Sequence, residues 1–67
     1  MDHTVKLIDL PLTNGDYIDV LFAIKHNTVR IKIGSVVMTP EMKKLVDAIM
    51  RHLDVSFGDT VIVTVFE

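Results

Sequence analysis

Cysteine and tryptophan are missing from this chain of 67 residues, and proline and glycine are scarce. Without cysteine the protein has neither disulfides nor thiolate metal sites. The three histidines, His3, His26 and His52, are too scattered in sequence to suggest a metal cluster. We therefore expect no metal and no cofactor. A chain this short buries a small core, and oligomerisation is the remaining way to reinforce it.

Long uninterrupted hydrophobic runs are also missing. The longest extend over a few residues, far below the roughly 20 that a membrane span needs. The first residues, MDHTVKL, lack the basic start and apolar segment of a secretion signal. We expect a soluble cytoplasmic protein that makes no contact with a membrane.

Acidic residues are absent from Val20 to Pro40, although the chain as a whole has a net charge of −2. This window contains Lys25, Arg30 and Lys32, so it carries +3 and leaves −5 for the rest. The nearly balanced total argues against a general nucleic-acid binder, whereas the uneven distribution predicts a local basic surface.

One helix is clearly marked, from Thr39 to Leu53. Thr39 suits the N-cap, Pro40 suits the first helical position, and Glu41 complements the helix dipole. The apolar residues of this segment recur at the spacing of a helix and predict one buried stripe, which consists of Met42, Leu45, Val46, Ile49, Met50 and Leu53.

Four segments have the composition of strands, and Asn14-Gly15 has the composition of a two-residue hairpin turn between the first two. A second tight hairpin is predicted at His26-Asn27. The strands are Thr4–Leu10, Tyr17–Lys25, Thr28–Ile33 and Thr60–Phe66.

The element order is therefore β-β-β-α-β in a single domain, residues 1–67. The predicted fold class is α+β, with a four-stranded mixed sheet and one helix packed on one face. A helical crossover before the last strand favours the strand order 3-2-1-4, with the fourth strand parallel to the first. A fourth strand beside the third is left open.

The two predicted hairpins agree on which residues share a face. They place Phe22 with Val5 and Ile31 on the inner face, against the helix. The outer face combines apolar and basic side chains and is predicted to bind a partner. Its proposed contact residues are Tyr17, Leu21, Lys25, Arg30 and Lys32.

The last strand is apolar on both faces and has no charge before Glu67. As an edge strand it would invite pairing with a second chain or with a partner's strand. The residues expected to make this contact are Ile62, Thr64 and Phe66. The alternative is that the Phe57 loop or the connector Ser35 to Met38 covers the edge within a monomer.

No nucleophile with a base and no pair of carboxylates is recognisable, so an enzyme is not expected. Surplus apolar surface instead predicts a protein-binding module that acts stoichiometrically as an inhibitor or adaptor and forms a homodimer. The small, cysteine-free format is common among phage and mobile-element accessory proteins. The alternative is a nucleic-acid-binding protein that uses the basic sheet face.

Overall fold

The computed structural model describes residues 2–24 and 28–65. Three strands and two helices alternate along these residues, and a short 3-10 helix, Leu7–Asp9, follows the first strand. The elements are β1 (Asp2–Lys6), α1 (Asn14–Ala23), β2 (Thr28–Lys32), α2 (Pro40–His52) and β3 (Thr60–Thr64). Within this part of the chain, neither helix has the length and apolar character needed to cross a membrane.

β3, the last strand in the chain, lies in the middle of the sheet. The strand order is β1-β3-β2, with β1 parallel and β2 antiparallel to β3. The predicted α+β class and the mixed sheet are confirmed, whereas the four strands in the order 3-2-1-4 are wrong. The fourth predicted strand, β3, pairs with the first, parallel as favoured, and also with the third, the neighbour left open. It has room for both because the second predicted strand is not a strand.

Residues 14–23 form helix α1 where the sequence predicted a hairpin turn and most of a strand. Thr13 is the N-cap, and its Oγ1 accepts a hydrogen bond of 3.2 Å from the backbone N–H of Asp16. Four residues at helical spacing then face the core, namely Tyr17, Val20, Leu21 and Ile24. The hairpin predicted at His26-Asn27 and the end of that strand at Lys25 lie outside the described residues.

The effect of Gly15→Ala on stability distinguishes the helix from the predicted hairpin. In α1 its φ is negative and nothing lies within 4 Å of an added Cβ, so Gly15→Ala is expected to raise the free energy of unfolding by about 0.4–1 kcal/mol. In a type I′ turn the same position needs a positive φ, and alanine would destabilise the protein. Urea denaturation of both proteins gives the sign, and a loss of stability would contradict the helix.

The core lies between the sheet and the two helices, which contact each other on one face of it. Leu45 and Ile49 of α2 and Val61 and Val63 of β3 are fully buried there. The predicted helix matches α2, and the Thr39 hydroxyl accepts a hydrogen bond of 3.2 Å from the backbone N–H of Met42. The predicted stripe is wrong at Met50, which is 52% exposed, whereas its last residue, Leu53, packs against the core.

The prediction that the last strand is an unguarded edge is wrong. β3 pairs with β1 on one side and with β2 on the other, so its backbone is hydrogen-bonded along both sides. Its apolar character on both faces is typical of a central strand. Ile62 and Thr64 are half-buried on the face of the sheet away from the helices, and Phe66 lies outside the described residues.

Candidate functional site

The outer side of α1 carries large apolar side chains that the fold leaves exposed. Ile18 is 62% exposed and Phe22, one helical turn further, is 84% exposed. Both point outward because the residues at positions 17, 20, 21 and 24 already form the inner stripe. A shallow depression beside them is lined by Asp19, Phe22, Ala23 and Glu41. We call Ile18, Asp19, Phe22, Ala23 and Glu41 the α1 face.

Acidic groups border the α1 face, and one lysine connects them. Lys44 Nζ on α2 lies 3.0 Å from Asp16 Oδ1 and 3.6 Å from Asp19 Oδ2. The hydrogen bond from Lys44, helped by the Thr13 hydroxyl, holds the pKa of Asp16 below its ordinary value, and the same contact raises the pKa of Lys44. Such exposed ion pairs contribute little to stability, so this cluster mainly shapes the charge around the apolar pair.

A second surface is the face of the sheet opposite the helices, which we call the open sheet face. Cross-strand rows there consist of Thr4, Ile62 and Arg30, of Asp2, Thr60 and Lys32, and of Lys6, Thr64 and Thr28. Three basic side chains therefore share this face with one acid and a band of threonines. Strand alternation explains the pattern, because the residues between them along β2, Val29 and Ile31, point to the core.

The structure groups the predicted contact residues differently from the sequence. It places Arg30 and Lys32 beside Ile62 and Thr64 on the open sheet face, although these pairs were assigned to two separate surfaces. The prediction that Tyr17 and Leu21 lie on this face is wrong, because both are half-buried on the inner side of α1. Lys25 and Phe66 lie outside the described residues.

A groove with a volume of about 260 Å³ lies beside β2, between this strand, the connector that follows it and the start of α2. Its lining residues are Arg30, Ile31, Lys32, Ser35, Val37, Met38, Thr39 and Met42. The N–H and Oγ of Ser35 donate hydrogen bonds of 3.2 and 2.8 Å to the carbonyl oxygen of Lys32. We call this the edge groove. The valine beside it, Val36, is 97% exposed, and Val37 is 91% exposed.

A histidine and an aspartate also meet at one end of the sheet. His3 Nε2 lies 3.2 Å from Asp59 Oδ2, which accepts a second hydrogen bond of 2.8 Å from the Ser56 backbone N–H. The Ser56 N–H, with a smaller effect from His3, holds the pKa of Asp59 below its ordinary value. The carboxylate thus fixes the turn before β3. The described segments contain no group of three or more His, Cys, Asp or Glu side chains placed to hold a metal ion.

Comparison of the chain with family models, with curated proteins and with solved structures gave no match.

Sequence reasoning missed Ile18 and Phe22 as exposed residues. A strand from Tyr17 to Lys25 puts Phe22 inward, whereas the helix turns it to solvent. The signal that could have found them is the spacing of Tyr17, Val20, Leu21 and Ile24, which follows i, i+3, i+4 and i+7 and leaves the other apolar residues on the opposite side.

Proposed function

We propose that the protein is a small non-enzymatic module that binds another protein stoichiometrically through the α1 face, as an inhibitor or adaptor. The observation that carries this proposal is the exposure of Ile18 and Phe22, one helical turn apart on the outer side of α1. A surface helix normally has polar side chains on the side away from the core, so this apolar pair lacks a covering surface. The small, cysteine-free chain also favours a cytoplasmic accessory protein of a phage or mobile element.

The spacing of the two side chains indicates how a partner is recognised. Residues at i and i+4 of a helix insert together into an apolar groove of another protein. Burying each of these side chains contributes roughly 1.5–3 kcal/mol before ordering costs are subtracted. Asp19 and Glu41 beside them favour a groove with basic residues at its rim.

The same charges bear on the expected homodimer. The contact first assigned to it, between two copies of the last strand, is not accessible in a central strand. Two α1 faces that met across a two-fold axis would bring the acidic side chains of both copies together, which is unfavourable. We therefore propose a different, basic protein as the partner of the α1 face.

A pair of matched double variants tests the proposal. Ile18→Ser/Phe22→Ser removes the α1 face, whereas Ile8→Ser/Phe57→Ser removes an isoleucine and a phenylalanine of nearly equal exposure, 62% and 86%, elsewhere. Each protein is immobilised and exposed to lysate of the source cells, once untreated and once after nuclease treatment. A protein retained by the wild type and the control is expected to be reduced more than about tenfold on the α1 variant.

Three results would contradict the proposal. Equal capture by both variants would move the contact away from α1. Capture that disappears after nuclease treatment would favour the alternative, nucleic-acid binding by Lys6, Arg30 and Lys32 on the open sheet face. A dimer in sedimentation equilibrium that only the α1 variant dissociates would show that a second copy covers this helix.

A further inference from the structure

We infer that the outer edge of β2 is a second binding site, which takes an extended segment of another protein with alternating acidic and apolar residues. This site is separate from the α1 face and goes beyond the function proposed above. Among the strands that the structure describes, only β3 pairs with β2, so one side of β2 has no neighbouring strand.

The backbone of β2 presents hydrogen-bonding groups to that side. Ile33 N–H donates a hydrogen bond of 2.7 Å to the carbonyl oxygen of Asp59, its opposite residue when the register is continued. Hydrogen-bonded pairs alternate along antiparallel strands, so Val29 and Ile31 also point to β3, whereas the N–H and C=O of Arg30 point to the edge groove. A strand added along the groove pairs with these groups.

The charge of β2 selects what can pair there. In an added strand, every second side chain lies on the open sheet face, directly opposite or next to Arg30 and Lys32. Acidic side chains at these positions are favourable, and basic ones are unfavourable. The segment from Val20 to Pro40 contains no acidic residue that could form an ion pair with Arg30 or Lys32.

A second copy of β2 is a poor occupant for the same reason. A centred antiparallel pair of β2 strands places Arg30 opposite Arg30 or Lys32 of the other copy, since opposite residues share a face. Like charges directly opposite each other destabilise a strand pair. The chemistry therefore favours a different chain that supplies carboxylates.

The alternate side chains of the added strand point to the helix side of the sheet. There the groove is lined by Met38 and Met42, which are half-buried, and by exposed Val37. Methionine adapts its shape to varied apolar partners, so this wall accepts apolar side chains without a fixed outline. The added strand therefore has carboxylates on the side of the open sheet face and apolar side chains on the helix side, which is a sequence of alternating acidic and apolar residues.

The experiment measures fluorescence anisotropy of labelled peptides with the full chain. The probes are a peptide of alternating glutamate and valine, one of alternating lysine and valine, and one with the glutamates and valines in two blocks. The wild type is expected to bind the alternating glutamate peptide at least about tenfold more tightly than either of the others. Methylation of the peptide nitrogens that face β2 is expected to abolish binding.

Reversal of the charges on β2 is expected to create binding to the lysine peptide, which an unfolded variant cannot show. Arg30→Glu/Lys32→Glu is expected to prefer the lysine peptide by a similar factor. Lys6→Glu, on the same face but on β1, is the matched control and is expected to leave the preference of the wild type unchanged.

Several outcomes would overturn the inference. The first is that the wild type does not bind the alternating glutamate peptide, and the second is that it binds the blocked peptide equally well. The third is that Lys6→Glu weakens binding of the alternating glutamate peptide as much as Arg30→Glu/Lys32→Glu does, which would show attraction by general charge. A dimer that Arg30→Pro dissociates would assign the edge to a second copy. The Ile18→Ser/Phe22→Ser variant is expected to bind the peptide like the wild type, so failure at the α1 face and failure at this edge are distinguishable.

Discussion

Replacement of Ile49 by alanine is expected to lower the free energy of unfolding by about 2–5 kcal/mol. Ile49 of α2 is fully buried, and its side chain contributes to the single core of the described residues. Truncation loses the transfer free energy of three carbon atoms and leaves a cavity that the neighbours fill only in part. A domain of this size has a total stability of about 3–10 kcal/mol, so the substitution is expected to remove about half of it and to lower the midpoint of urea denaturation strongly.

Two further variants on α2 make the result specific. Ile49→Val removes one methylene and is expected to cost about 0.5–1.5 kcal/mol. Met50→Ala truncates the next residue, which is 52% exposed, and is expected to stay within about 0.5 kcal/mol of the wild type. Urea denaturation followed by circular dichroism gives all three values. A cost at Met50 equal to that at Ile49 would mean that the outer side of α2 is covered in solution.

The boundaries of α2 are the part of the fold that the sequence predicts best. Its signals are local and agree with each other, since Thr39 caps the helix, Pro40 fits its first position and the apolar residues follow one helical stripe. The alternation of β2 is also local. For this reason Arg30 and Lys32 were correctly placed on the outer face of the sheet, although their partners on that face were not.

The sequence does not predict helix α1 because two local interpretations compete in the same residues. Asn14-Gly15 fits a hairpin turn, and Thr13 with Asp16 three residues later fits a helix start. The following segment is rich in residues that favour strands. The helix is favoured in the structure because it buries Val20 and Ile24 in the core, a gain that depends on elements far away in sequence. Pro11, which would interrupt a strand pair, lies in the loop before the cap.

The error in α1 propagated to the sheet and to the candidate site. A false second strand places β3 at the edge of the predicted sheet, where its apolar faces indicate a dimer contact. In the structure those faces reflect its central position. The same false strand hides the exposure of Ile18 and Phe22, because the side chain of Phe22 points inward from the predicted strand and outward from the helix. Strand order depends on long-range pairing that no local pattern in this chain specifies.

Replacement of Gly34 by alanine is expected to destabilise the protein and to displace Phe57. Gly34 has a φ of +96°, which costs an alanine about 1–2 kcal/mol, and an added Cβ would overlap the Phe57 ring that packs on it. Gly58 is the matched control, because its φ is +94° and nothing lies within 4 Å of an added Cβ. Gly58→Ala therefore reports the backbone strain alone.

The difference between the two glycine variants measures the contact of Phe57 with Gly34. Chemical denaturation of Gly34→Ala and Gly58→Ala, each with and without Phe57→Ala, gives this value as a coupling free energy. With the ring removed, the two alanine substitutions are expected to cost the same. Because the ring is 86% exposed, it can swing away, and the extra cost at Gly34 is expected to be below that of a buried clash. Equal costs with the ring present would show that Phe57 does not pack on Gly34 in solution, and would leave its ring available to a partner.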